Sequence, residues 1–232
     1  MLKLSHPILT KDYPENLNSG FMICGINFGW SHEDEIREAR DTPEMTEPLS
    51  FFSDKTVNNT KFRNRVLKWL SSWGFSFADT PCQITAFDRS FFQTNWLDSQ
   101  TRSINSDEPI NIDLLVEHSS GILNVLKERK PSVIFFFSHM LIESLNDIRI
   151  RQKVESILGE RSGNAKAHLP NTENSAGKKF KLMHQKYGDT QIVSLPHPSA
   201  RGISDEYIAA LKPPIHIIHK LIERSLQHGH KN

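Results

Sequence analysis

The sequence predicts an α/β protein, a three-layer α/β/α sandwich around a central, mainly parallel four-stranded sheet. Three observations predict it. Short apolar runs at Phe21–Ile26, Thr85–Thr94, Val133–Phe137 and Gln191–Leu195 alternate with longer stretches of helical periodicity. The run Val133–Phe137 is apolar throughout, which suits a strand covered by helices on both faces. The chain's 232 residues suffice for one well-buried core and are short for two full domains, so residues 1–232 are expected to form a single domain.

Taken in order, Phe21–Ile26 is closed by Asn27 and Gly29 and predicts the first strand. From Asn58 to Trp73 the apolar residues Phe62, Val66, Trp69, Leu70 and Trp73 fall on one helical face. Asn58, Asn59 or Thr60 is available to cap that helix and Gly74 to end it. Thr85–Thr94, aromatic and β-branched, predicts the second strand, followed by a loop around Asp98–Pro109. Asn111 is placed to cap a helix with Leu115, Ile122 and Leu126 inward, ending before Pro131. Val133–Phe137 is the third strand, and Ser138 caps a helix carrying Leu141, Leu145, Ile148 and Ile150. Gly159–Lys179 is polar and predicts a surface loop. Gln191–Leu195 is the fourth strand, after which Pro213 and Pro214 separate two short helices, the second from about residue 215 to 226.

Composition narrows the function classes. Charged residues make up 24% and hydrophobic residues 37%, which excludes a disordered chain. No apolar run approaches the length of a membrane span, and Met1–Tyr13 lacks the apolar core of a signal peptide. Cys24 and Cys82 cannot form a disulfide framework or a four-thiolate centre, so a reducing, cytoplasmic setting is expected. The net charge of +1 gives no global support for nucleic-acid binding, although a local basic patch can be offset elsewhere. No phosphate-binding loop, dinucleotide fingerprint or nucleophile elbow is present, and His216 and His219 lack a third ligand of plausible spacing. Neither a cofactor nor a metal is expected.

The polar residues that end the strands carry the chemistry. They are Asn27, Asn95, Ser138–His139 and His197, and in a parallel sheet all four sets share one rim. Amides and imidazoles supply fixed donors and acceptors, and Phe28, Trp30, Phe51, Phe52 and Trp96 supply flat faces nearby. Such a rim suits a heterocyclic base better than a phosphate or a metal. Each residue also has an ordinary alternative: Asn27 as a turn residue, Asn95 satisfying loop backbone groups, His197 closing a Pro-flanked turn, Phe52 in the core.

Gly25-Ile26-Asn27-Phe28-Gly29 resembles the first motif of the uracil-DNA glycosylase superfamily, especially its mismatch-specific branch. Glu33-Asp34 and Ser50-Phe51-Phe52 resemble the segment that delivers a base-stacking phenylalanine. Phe92-Gln93-Thr94-Asn95 resembles the strand that ends in a uracil-reading asparagine, and Val133–Leu145 the following strand and helix. Pro196-His197-Pro198-Ser199 is similar to the family's His-Pro-Ser motif. The matches fall in the family's order over residues 20–215. The resemblance implies that Asn27 and His197 are catalytic and that Gly25, Ile26, Phe28, Phe52, Asn95 and Ser199 bind the base. It also implies that Ala200-Arg201-Gly202 meets DNA. The implied activity is hydrolysis of the N-glycosidic bond of uracil or a related deaminated base in DNA. Two alternatives are a catalytically weak or inactive module of that fold that binds a base, nucleotide or nucleic acid, and a cofactor-free nucleoside hydrolase. Asn27 stands where many members carry a carboxylate, and Ala200-Arg201-Gly202 where many carry an apolar wedge.

Overall fold

A computed structural model describes residues 6–29, 50–52, 60–78, 80–98, 100–101, 110–170, 180–214, 217–221 and 223. Trp30, Glu33–Asp34, loop residues 102–109, residues 171–179 of the polar stretch and the tail from 224 onward lie outside the described residues.

In chain order the elements are α1 (Pro14–Leu17), β1 (Phe21–Gly25), β2 (Phe28–Gly29), α2 (Lys61–Ser72), α3 (Ala86–Arg89) and β3 (Phe91–Asn95). There follow β4 (Gln100–Thr101), α4 (Ile112–Glu117), α5 (Ser120–Arg129), β5 (Val133–Phe136), α6 (His139–Leu145) and α7 (Ile148–Leu158). The last are β6 (Lys166–His168), β7 (Leu182–Tyr187), β8 (Thr190–Ser194) and α8 (Asp205–Ala210). The α/β class is as expected, but the sheet is larger than the four strands expected. It has six strands in the order β3-β1-β5-β8-β7-β6. β3, β1, β5 and β8 are parallel, whereas β7 runs antiparallel to both β8 and β6. The extra strands follow from a two-residue turn, Gly188-Asp189, with Tyr187 paired to Thr190 and Gly188 at φ 49°. β2 and β4 form a separate two-stranded parallel pair.

Local side-chain chemistry sets several boundaries. Thr60 accepts from the Arg63 N–H, Asn111 from Leu114 and Ser138 from Met140, so the three expected caps form. The single helix expected after Asn111 is divided at His118–Ser119 into α4 and α5. Thr85 does not begin a strand. Its hydroxyl accepts from the Asp88 N–H while the Asp88 carboxylate accepts from the Thr85 N–H at 2.7 Å. This reciprocal pair nucleates α3 and delays the strand to Phe91. Asp147 likewise caps α7 by accepting from the Arg149 N–H, separating it from α6.

Each face of the sheet is covered. Phe21, Ile23, Phe91, Val133, Phe135 and Val193 face α2, α8 and the segment Phe51–Phe52. Met22, Cys24, Phe92, Ile134, Phe136 and Ile192 face α4, α5, α6 and α7. The chain leaves β1 for β3 on one side and then crosses to β5 on the other, so the winding reverses at β1/β5. That reversal opens a crevice outside the carboxyl ends of those strands. Among the described residues no helix is long and apolar enough to cross a membrane.

Candidate active site at the carboxyl rim

Register places the strand ends level with one another. Gly25 pairs with Asn95, Cys24 with Phe136, and Phe136 with Ser194. Beyond the ends the backbone stays locked, because the N–H groups of Trp96 and Leu97 donate to the Gly25 and Ile26 carbonyls and that of Leu195 to Phe136. The first motif and the Asn95 strand are therefore neighbours. His197 follows β8, two strands from β1 and three from β3, or roughly 14 Å from β3 at the usual strand spacing.

Asn95 is the most constrained polar group on this rim. It is 5% exposed, and its side-chain carboxamide makes no hydrogen bond to any described residue. The amide lies over Gly25, where an added Cβ would sit 2.5 Å from the Asn95 Oδ1. Only glycine leaves room for this close approach. The Asn95 backbone is held from the other side by buried His6, whose Nε2 donates to the Asn95 carbonyl at 2.6 Å. The side-chain amide atoms of Asn95 are not among the buried polar atoms that lack a partner, so the group reaches the rim with its donor and acceptor open to a ligand or water.

His197 is half-buried, and burial pushes its pKa below the ordinary histidine value. The Ser199 N–H donates to Nδ1 at 3.1 Å, so in the neutral ring the proton sits on Nε2. Nε2 has no hydrogen-bond partner among the described residues, which leaves a neutral N–H donor available at the rim. The Phe62 ring lies 5.7 Å from the imidazole and 5.2 Å from Phe137 at the end of β5, fixing the height of His197 above the sheet.

The loop that carries His197 is held from α2. Arg65 donates from Nε to Asp205 and from its two terminal nitrogens to the Pro198 and Ile203 carbonyls. Trp69 Nε1 donates to the same Asp205 carboxylate at 2.9 Å and Lys68 pairs with it at 2.6 Å. Led by the Lys68 hydrogen bond, these donors bring the Asp205 pKa down to about 2. Phe62, Arg65 and Trp69 recur at helical spacing, so one stripe of α2 clasps the segment from residue 197 to 205.

The other expected site residues are placed as follows. Ile26 is buried and Asn27 half-buried at the end of β1; Asn27 is already partnered within the protein. Phe28 lies in β2, and its side chain is outside what the structure describes. Ser199, Arg201 and Gly202 are exposed and Ala200 half-buried, on the turn in which the Ala200 N–H donates to the His197 carbonyl. His139 turns away from the rim, its Nε2 donating to the Lys181 carbonyl at 2.7 Å. Phe52 is not brought to the rim. It is 2% exposed, stacked on Phe77 at 4.5 Å and edge-on to Phe51 and Phe91. Phe91 lies four residues, or roughly 13 Å, along β3 from Asn95, so Phe52 belongs to the layer beneath the mouth.

Phe62, Arg65, Asp205 and His6 were not anticipated from sequence. Only Phe62 carried a signal, as an apolar member of the helix pattern. Among the described residues no group of three or more His, Cys, Asp or Glu side chains is placed to hold a metal. Compared with known proteins, the chain matches no family model, and a search of curated proteins finds no significant relative.

Proposed function

We propose that the protein is a uracil-DNA glycosylase-like base-excision enzyme that hydrolyses the N-glycosidic bond of uracil or a related deaminated base in DNA. The observation that carries this reading is the carboxamide of Asn95, on a residue only 5% exposed and without a hydrogen bond to any described residue, on the same rim as a neutral imidazole with a free Nε2–H. A pyrimidine edge offers alternating carbonyl and N–H groups, and a carboxamide matches them with one donor and one acceptor. Cytosine presents a different order and leaves the amide mismatched, which is a strong basis for rejection.

In the reaction the C1′–N bond breaks, its electron pair leaves with the base, and a water oxygen bonds to C1′ while releasing a proton. The base departs as an anion whose charge reaches the ring oxygens. His197 Nε2–H donates to that developing charge, a contribution of about 3 kcal/mol for one preorganised donor. Asn27 positions the water. The target base must leave the duplex stack to reach the rim, at a cost of a few kcal/mol. Phe52 enters this scheme only if its covered ring is exposed on binding.

One feature favours a second reading, a module that binds a base without excising it. The exposed turn Ser199–Gly202 offers no large apolar side chain to fill the gap left by an extruded base. Incubation with uracil-containing oligonucleotides separates the two readings. Release of free uracil, reduced about 100-fold by His197→Ala and by Asn95→Ala, supports the enzyme. Saturable uracil binding with no release from single-stranded, paired or mismatched substrate removes it and leaves the module.

A further inference from the structure

Beside the His197 loop, α2 presents a groove of about 440 Å³ lined by Lys61, Asn64, Arg65 and Lys68. We infer that this groove binds the sugar–phosphate backbone of a DNA strand and sets its position relative to His197. The inference rests on the proposed function for its choice of DNA, and it assigns the backbone contacts to a helix outside the motif-bearing segments.

Three observations carry it. First, the lining is cationic although the chain as a whole is nearly neutral, with a net charge of +1. Lys61 is exposed and has no ion pair among the described residues. The Lys68 side chain is 65% exposed and keeps its charge while it pairs with Asp205. Two carboxylates lie near Lys68, Asp205 and Glu206; neither lines the groove, and Asp205 is already occupied by three donors.

Second, the spacing suits a repeating anion. Lys61 and Lys68 are two helical turns apart, about 10 Å at 1.5 Å per residue. Phosphates on one strand recur about every 3.4 Å of duplex axis, so the stripe meets more than one of them. Asn64 and Arg65 lie between the two lysines on the same face. Third, the floor of the groove is the clasp that holds the His197 loop. Three of the five Arg65 N–H groups are spent on Asp205, Pro198 and Ile203, which leaves two for a phosphate oxygen. A strand seated on α2 therefore rests on the side chain that positions Pro198, next to His197, and Arg201 is exposed on the same loop.

The test is equilibrium binding of the full chain to a fluorescent DNA duplex that contains no uracil, followed by anisotropy between 50 and 200 mM salt. Each lost phosphate contact removes about 0.9 from the salt slope, so Lys61→Gln should make the affinity loss over this fourfold range about 3.5-fold smaller. Lys61→Gln/Lys68→Gln should reduce the loss by about a further 3.5-fold. Lys127→Gln, on the opposite side of the sheet, should leave the slope unchanged. Slopes equal to wild type in both α2 variants, or no salt-sensitive binding by the wild type, overturn the groove. If the double variant melts early, Lys61→Gln decides alone, because that residue supports no contact. Uracil release is scored separately: DNA binding on this slope without release sinks the glycosylase and keeps the groove, and release with unchanged slopes does the reverse.

Discussion

The two faces of the sheet are built differently. One is filled by Phe21, Phe51, Phe52, Phe75, Phe87, Phe91, Phe135, Phe137, Trp69 and Trp73, with α2 as its longest helix and loop segments completing the cover. The other is mostly aliphatic and lies under the four helices α4 to α7. Gly25, Asn95 and the His197 loop belong to the aromatic side, as do Phe62 and the Arg65 clasp. The aliphatic face meets the rim chiefly through His6 and the Ser138 cap. The contrast suggests a division of labour. Regular helix-on-sheet packing anchors the strands, and an irregular aromatic layer, with wide flat side chains bridging loops, shapes the mouth. Substitutions on the two sides should therefore differ in kind, and each of the following can break or sharpen that division.

The largest effect is expected from paired core truncations. Trp69→Ala removes a ring 1% exposed, together with its hydrogen bond to Asp205, and should cost about 3–5 kcal/mol of stability. Leu141→Ala, from the aliphatic face, should cost about 2–5 kcal/mol. Urea denaturation gives both values, and single-turnover uracil release corrected for folded fraction separates them. Trp69→Ala should slow release per folded molecule because the His197 loop loses part of its clasp, whereas Leu141→Ala should not. Equal slowing in both variants would erase the distinction between the faces.

The same contrast explains what was legible beforehand. Val133–Phe136 and Phe21–Gly25 are readable as strands because both faces are buried, so their runs are apolar throughout. Thr60, Asn111 and Ser138 are readable because capping is a local bond within three residues. β7 escaped notice because its Leu-Met-His-Gln-Lys-Tyr run places His184 and Lys186 inside a strand that is only partly buried. β6 is three residues, Lys166–His168, in a polar stretch, and sheet pairing rather than propensity makes it extended. At the candidate site, Asn95 was legible as the end of a strand, and His197 as a histidine in the Pro-flanked segment just beyond one. Arg65 reaches partners more than 130 residues away and His6 one 89 residues away, and no local pattern encodes such contacts. Phe52 was named for its motif, but in a layer this rich in phenylalanine, side-chain type does not tell a platform from core.

A second substitution tests the close approach at the rim. Gly25→Ala places a methyl where the Asn95 amide now sits. The amide is the end of a side chain and can swing aside, so thermal stability should change little. Uracil release should fall roughly 10- to 100-fold, the cost of misplacing one substrate contact. Release at the wild-type rate would mean that the amide's present position has no part in recognition.

The pH dependence probes the other end of the rim. The folded-state pKa of His197 is lowered by burial, so the imidazole stays neutral through pH 7 and charges only below its unfolded value of about 6.5. Protonation puts a hydrogen on Nδ1 opposite the Ser199 N–H and breaks that bond. Release should therefore be flat across the neutral range and fall on the acid side, approaching tenfold per unit once below the folded pKa. The unfolded chain binds the proton more readily, so this histidine's contribution to stability is present above the unfolded value and is lost as pH falls below it. A rate that rises on acidification would assign His197 a charged, acid role and remove the neutral-donor mechanism.

The smallest effect is also the sharpest comparison. Thr60 caps α2 on the aromatic side, and Asn111 caps α4 on the aliphatic side, each by one side-chain oxygen and one N–H. Thr60→Ala and Asn111→Ala should each cost about 1 kcal/mol, within error of one another in urea denaturation. Their effects on release should differ, because the first turn of α2 holds Lys61 and Phe62 and the latter touches His197. Fraying that turn should lower uracil release several-fold in Thr60→Ala, while Asn111→Ala should match wild type per folded molecule. Because the thermodynamic penalty is the same, any difference in rate reports which helix the rim depends on, free of the stability losses that complicate core truncations.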